Sequence, residues 1–215
     1  MALTFLNVLN LLQRRLREPT TASVTTNAYS VLLGMFINDA KREVEDCWNW
    51  NCLRDTIIVT TDPGTRGYVL TNSRHRFRVL DVFNNTDNYF LKPAGSTYQT
   101  NSLIGSEASG TPTQYSFNGE YQGDAIIDLY PVPDAVQSIN FNLVIPQADL
   151  ADDTDELRVP SDLVVLNAYM KAISERGEDM GGHYDRVNQD YIRALSNAIS
   201  QDEARMFGET DWVAR

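Results

Sequence analysis

Between Leu53 and Pro146 the apolar residues stop recurring every third or fourth position and fall into short alternating runs; after Val159 the helical spacing returns. Side chains share a face at a period of 3.6 residues in a helix and of two in a strand, so a chain with this pattern must be helical at both ends and β in the middle. The clearest run is Ile139-Asn140-Phe141-Asn142-Leu143-Val144-Ile145. Its odd positions are apolar and two of the intervening ones are Asn, so one face is buried and one is wet, and Pro146 closes it. Residues 56–61, 68–70, 76–83, 89–91 and 125–130 are further β-prone runs, punctuated by turn signals such as Asp62-Pro63-Gly64. Within this region, residues 92–120 are rich in Ser, Thr and Gly and carry little pattern. They are too long for an ordinary hairpin turn, and read either as a surface loop or as an arm that orders on a neighbour.

Upstream, Leu6, Leu9, Leu12 and Leu16 predict a helix over 4–17, stopped by Pro19. Arg14, Arg15 and Arg17 lie in its last turn, where positive charge complements the helix dipole. Tyr29, Leu32, Phe36, Ala40, Val44 and Cys47 form the apolar stripe of a second helix over 27–50. Downstream, an acidic linker over 149–156 precedes Val159-Pro160-Ser161-Asp162, a helix start in which Ser161 is expected to cap. Leu163, Leu166, Met170 and Ile173 make that helix's stripe, and residues 177–182 break it. The last helix is expected over 184–205, with Val187, Tyr191, Leu195, Ala198 and Asp202 on one face. The expected fold class is α+β. Two N-terminal and two C-terminal helices (1–53 and 149–206) form a bundle, and an antiparallel β-sandwich or barrel over 54–148 is inserted and projects from one end. Residues 207–215 form a tail. Phe207 and Trp212 stand out there, since tails usually hold small polar residues, and they point to burial on a partner.

The residues offer little chemistry. No G-x-G-x-x-G or G-x-x-x-x-G-K-[ST] phosphate cradle occurs, and no G-x-S-x-G elbow. His75 sits between two arginines and His183 follows two glycines, with no sign of a carboxylate and nucleophile arranged around either. Cys47 and Cys52 with two distant histidines do not make the paired ligand set of a zinc site; the two cysteines read as reduced thiols or as a local disulfide. Asp152-Asp153-Thr154-Asp155-Glu156 is too crowded, and too poor in Gly, for a calcium loop, and is expected to be a solvated linker. No enzyme activity, metal or cofactor is expected. No apolar stretch is long enough for a membrane span, and the first residues lack the order of a signal peptide, so the chain is expected to be made in a cytoplasm.

Charge adds a constraint. The net charge is −11. Residues 1–53 are neutral, whereas 149–215 carry −8, fifteen acids against seven bases. Tight phosphate-backbone binding requires clustered bases, which leaves only Arg14-Arg15-Arg17 and Arg74-Arg76-Arg78 as basic patches. Three readings apply to them: contact with DNA; a structural role in which the first completes a helix C-terminus and the second is the wet face of a strand; and, the favoured one, pairing with the acidic C-terminal third across a subunit boundary, which fixes register.

The order of a helical pair, a β insertion ending in Leu129-Tyr130-Pro131-Val132-Pro133, a strand closed by Pro146, and Val159-Pro160-Ser161-Asp162-Leu163-Val164-Val165-Leu166-Asn167-Ala168 opening the last helices resembles the head–tail adaptor (connector) proteins of tailed phages, the group that includes the tail tubular protein A type. The resemblance implies a virion structural protein of the neck or tail. Its implied partners are the portal protein, the tail or nozzle proteins, and further copies of itself in a ring, a dodecamer in the family. Genomic DNA would pass through without sequence-specific binding. The candidate partner interface is then Arg14, Arg15, Arg17, Phe207 and Trp212. The alternatives are another neck or tail-completion protein of the virion, or a carbohydrate-binding β module using Tyr115, Tyr121 or Tyr130.

Overall fold

The computed structural model describes residues 3–94, 108–178 and 182–205. It is an α+β structure with two compact units, Met1–Leu53 with Gln147–Arg215, and Arg54–Pro146.

The first unit is helical. Helix α1 (Phe5–Arg15) starts at Thr4, whose hydroxyl accepts the Asn7 N–H. It ends where Arg17 turns left-handed (φ 60°) and the Glu18 N–H reaches back to the Gln13 carbonyl. Helix α2 (Ala28–Cys47) begins with a reciprocal cap, in which Asn27 Oδ1 accepts the Ser30 N–H at 2.7 Å and Ser30 Oγ accepts the Asn27 N–H at 3.1 Å. Its buried stripe is Leu33, Ile37, Ala40 and Val44. The expected stripe is therefore displaced by one position at its N-terminal end: Tyr29, Leu32 and Phe36 are only half-buried, and Cys47 is exposed. Gly34 decides the matter, because a Cβ there would stand 3.0 Å from Val24 and 3.2 Å from Phe5; α1 packs where the α2 surface is lowest.

Helix α3 (Ser161–Glu175) packs on α2 and also meets α1 and the last helix, α4 (Gly182–Glu203). Being covered on several sides, α3 buries Leu163, Val164, Val165, Ala168, Met170 and Ile173, a wider band than one stripe, while Leu166 is half-buried. Its N-cap is Pro160, with no side-chain cap; Ser161 is the first helical residue. Helix α4 turns Val187, Tyr191, Leu195, Ala198 and Asp202 inward, as its sequence period requires.

The acidic stretch 149–156 is a strap and not a solvated linker. The first N–H groups of any helix lack partners within it. Here the carbonyls of Asp155 and Asp153 accept those of Phe5 (2.8 Å) and Leu6 (3.2 Å), and Asp153 Oδ1 accepts the Val24 N–H at 2.8 Å. The backbone of Leu150 is held on both sides by the Asn38 amide.

The second unit has eight strands among its described residues: β1 (Arg54–Thr60), β2 (Gly67–Leu70), β3 (Arg78–Asn84), β4 (Tyr89–Phe90), β5 (Lys92–Pro93), β6 (Gln114–Tyr121), β7 (Asp124–Tyr130) and β8 (Ser138–Val144). They form two four-stranded sheets, β1-β8-β3-β4 and β2-β7-β6-β5, neither closed into a barrel. All pairings are antiparallel except β5 with β6. Both sheets supply one core: Val59, Val82, Ile139, Phe141 and Leu143 from the first, Leu70, Tyr115, Ile127 and Leu129 from the second. Strand β6 occupies part of the stretch expected to be a loop, whose residues 95–107 lie outside the described residues. Its alternation is broken by a register shift between Phe117 and Glu120, with Gly119 at φ 90°, so its period of two does not persist long enough to be read.

Candidate assembly surface

The outward side of α1 carries Asn7, Leu11, Arg14 and Arg15, spaced as neighbours on one face. Leu11 is 38% exposed, although leucines fill the opposite side of the same helix. Arg14, Arg15 and Arg17 are all exposed, and none makes an ion pair or side-chain hydrogen bond among the described residues. The neighbouring cations behave differently. Arg176 binds Glu18 (2.7 Å) and the Tyr29 hydroxyl (2.7 Å), Lys171 binds Glu43 (2.6 Å), and Arg42 binds Asp39 (3.1 Å) and Asp149. The α1 arginines are thus a solvated positive group on a body whose other N-terminal and α3 cations are mostly paired. The other two residues expected at an interface, Phe207 and Trp212, lie outside the described residues.

Helix α4 is the least covered element of this unit. Of its 22 residues only Val187 and Asp202 are buried. It is held at both ends. Near its start, His183 Nε2 and the Tyr169 hydroxyl of α3 lie 3.1 Å apart. Near its end, one oxygen of Asp202 accepts both the Trp48 indole N–H (3.2 Å) and the Asn51 N–H (3.0 Å). Open clefts flank it. One of about 700 Å³ is lined by Trp50, Cys52, Arg158, Asp162, Asp202 and Arg205. A second of about 640 Å³ lies beside Phe36, Glu43, Met170, Lys171, Tyr184 and Tyr191. Ile192 is 57% exposed on the flank that also carries Asp185, Ser196 and Glu203.

Two polar devices that sequence spacing does not reveal fix this body. Lys41 and Glu45 are fully buried and paired at 3.4 Å. Lys41 Nζ also donates to the carbonyls of Gln147 and Ala148 at 2.9 Å each, and Glu45 accepts the Gln147 N–H. At i and i+4 on an amphipathic helix the pair looks like any surface ion pair; only the returning chain at 147–148 buries it. Glu43 joins α2 to α3, accepting from Asn167 (2.7 Å) and Lys171. Burial opposes its charge, but those two hydrogen bonds outweigh burial and hold its pKa below the usual carboxylate range.

The larger cleft brings Cys52 beside Asp202 and Arg158. Partial desolvation, with the Asp202 charge adding to it, pushes the Cys52 thiol up, although the residue keeps an exposed edge. No disulfide joins Cys47 and Cys52. His75 pairs with Glu120 at 2.7 Å on the surface of the β unit. Among the described residues no group of three or more His, Cys, Asp or Glu could hold a metal ion, and no helix is long and apolar enough to cross a membrane. Of the tyrosines weighed as a sugar platform, Tyr115 is in the core against Phe117 and Phe141, Tyr130 is half-buried, and Tyr121 alone is exposed.

Against known families, the model described as SU10 adaptor protein matches residues 3–212, almost the whole chain and both compact units. No curated protein matches the chain.

Proposed function

The chain belongs to the SU10 adaptor protein family, which makes it a structural adaptor of a phage particle, and from that premise we propose that it forms a ring joining the portal to the tail and continuing the DNA channel. The observation that carries this reading is the extent of the family match: residues 3–212 include the helical unit and the β unit together. In this reading the helical unit is the ring-forming body, the β unit is the platform met by tail or nozzle proteins, and residues 207–215 dock into the portal. A dodecamer is the expected ring.

The charge supports a passive channel. A net −11 repels phosphate, so DNA slides past without being held, and the two small arginine groups are too sparse for a backbone-binding groove. The solvated Arg14, Arg15 and Arg17 suit a protein partner better than DNA.

Electron microscopy of the purified chain mixed with portal-bearing, DNA-filled heads tests the proposal. A new ring of density below the portal is the expected result. Heads that acquire no density at the portal vertex, while the chain is folded and in excess, would refute it.

A further inference from the structure

Two exposed stripes of the helical unit are complementary in both apolar character and charge. On α1, Leu11 is followed one turn later by Arg14 and Arg15. On α4, Asp185, Ile192, Ser196 and Glu203 recur at seven, four and seven residues, which keeps them on one flank. Each stripe has one exposed aliphatic residue. The charges beside it are positive on α1 and negative on α4, and neither Asp185 nor Glu203 makes an ion pair among the described residues. The remaining charges of α4 do not oppose this. Asp190 is paired with Arg193 at 3.7 Å, and Arg186 and Arg193 fall on a different flank.

We propose that the Leu11–Arg14–Arg15 stripe of one copy packs on the Asp185–Ile192–Glu203 stripe of the next. This rests on the reading of the adaptor as a ring of like copies, and it names the surfaces that make the ring. The dimensions agree. With Leu11 set on Ile192, Arg15 lies about 6 Å along its helix and Asp185 about 10 Å along the other, at 1.5 Å per residue. An arginine side chain spans the difference. The two stripes are different surfaces of the same molecule, so the contact is head-to-tail. Such a contact repeats from copy to copy, and closes when the rotation between copies divides a full turn. It also covers part of a helix that buries only two side chains by itself.

Sedimentation of the isolated chain tests it. The wild type should self-associate with rising concentration at low salt, and about tenfold or more weakly at about 1 M salt, where charges are screened beyond ~3 Å. R14E/R15E and D185K/E203K should each remain monomeric while keeping the wild-type melting temperature, because every altered side chain is solvent-exposed. Mixing the two variants, or combining all four changes in one chain, should restore association. Ile192→Asp should abolish it at any salt. The proposal is overturned if R14E/R15E associates as the wild type does, if the combined variant is not restored, or if the wild type is still monomeric at about 1 mM, an affinity worth only ~4 kcal/mol. A chain that adds a ring to portal-bearing heads yet fails here leaves the adaptor reading standing. A chain that associates through these stripes and never docks on heads does the opposite.

Discussion

One carboxylate oxygen of Asp202 accepts the indole N–H of Trp48 at 3.2 Å, joining the end of α4 to the residue that closes α2. The same oxygen takes the Asn51 N–H at 3.0 Å. With so little of α4 buried, this bond does much to set the course of its last turn. Asp202→Ala should cost about 1–3 kcal/mol, because two donors lose a charged acceptor, and Asp202→Asn should cost less. Chemical denaturation of the three proteins measures this. Equal stability for all three would show that the contact carries no weight.

Lys41 is a second such point. Lys41→Ala deprives Glu45 of its cation and two carbonyls of a donor, and should destabilise by about 3–5 kcal/mol. Replacing the ion pair by Lys41→Met with Glu45→Leu should recover part of that loss, since the uncompensated charge is gone. A double variant less stable than Lys41→Ala would contradict this account.

In the β unit, Gly119 has φ 90° with nothing within 4 Å of where a Cβ would stand. The cost of Gly119→Val is therefore backbone strain alone, about 1–2 kcal/mol. Gly34→Val, in ordinary helical backbone, instead drives its side chain into Val24 and Phe5 and should cost about 1–3 kcal/mol from overpacking, offset by only a few tenths from the better helix propensity of valine. Thermal melts of both variants should fall below that of the wild type.

Acid should destabilise the helical unit in a defined window. Glu43 is held low as described above, and Asp155 is held low by the N–H groups of Ala151 and Asp152. A carboxylate whose pKa is lower folded than unfolded adds stability that is complete above the unfolded value, about pH 4, and is lost as the pH falls through the folded value. Stability from these two groups should be flat from neutral pH to about 5 and fall below about 4. The variant E43Q/D155N should lose less stability than the wild type between about pH 4 and 2.5. Parallel curves for the two proteins would exclude these groups as the cause.

Removing residues 207–215 should leave the melting of the remaining chain unchanged within about 0.5 kcal/mol. Under the proposed function it should also abolish attachment to portal-bearing heads. Normal attachment by the truncated chain would refute a docking role for Phe207 and Trp212.

Local period settled much of this protein. Alternation along 139–143 put Ile139, Phe141 and Leu143 in the core, all fully buried, and left Asn140 and Asn142 on the other face. The spacing of Val187, Tyr191, Leu195, Ala198 and Asp202 identified the inward side of α4. Period states which residues share a face, and needs no knowledge of the partner. It could not choose between adjacent faces of α2, where Leu32, Leu33, Phe36 and Ile37 make both apolar; the close approach of Val24 and Phe5 at Gly34 chose. It missed β6, because a bulge resets the alternation there.

Charge was legible only as a sum. Residue pattern carried the order of helix pair, β insertion and helix pair, and the excess of acid toward the C-terminus. Which charges cancel depended on the folded chain. It buried Lys41 with Glu45, clamped Glu43 between two helices, and turned the acidic stretch 149–156 into a strap that caps α1. It left Arg14 and Arg15 solvated beside Leu11. The Glu43 clamp and the strap over α1 join residues more than a hundred positions apart, and residues 147–148 return to cover Lys41 and Glu45, so these contacts depend on where the chain returns, and no local pattern records that.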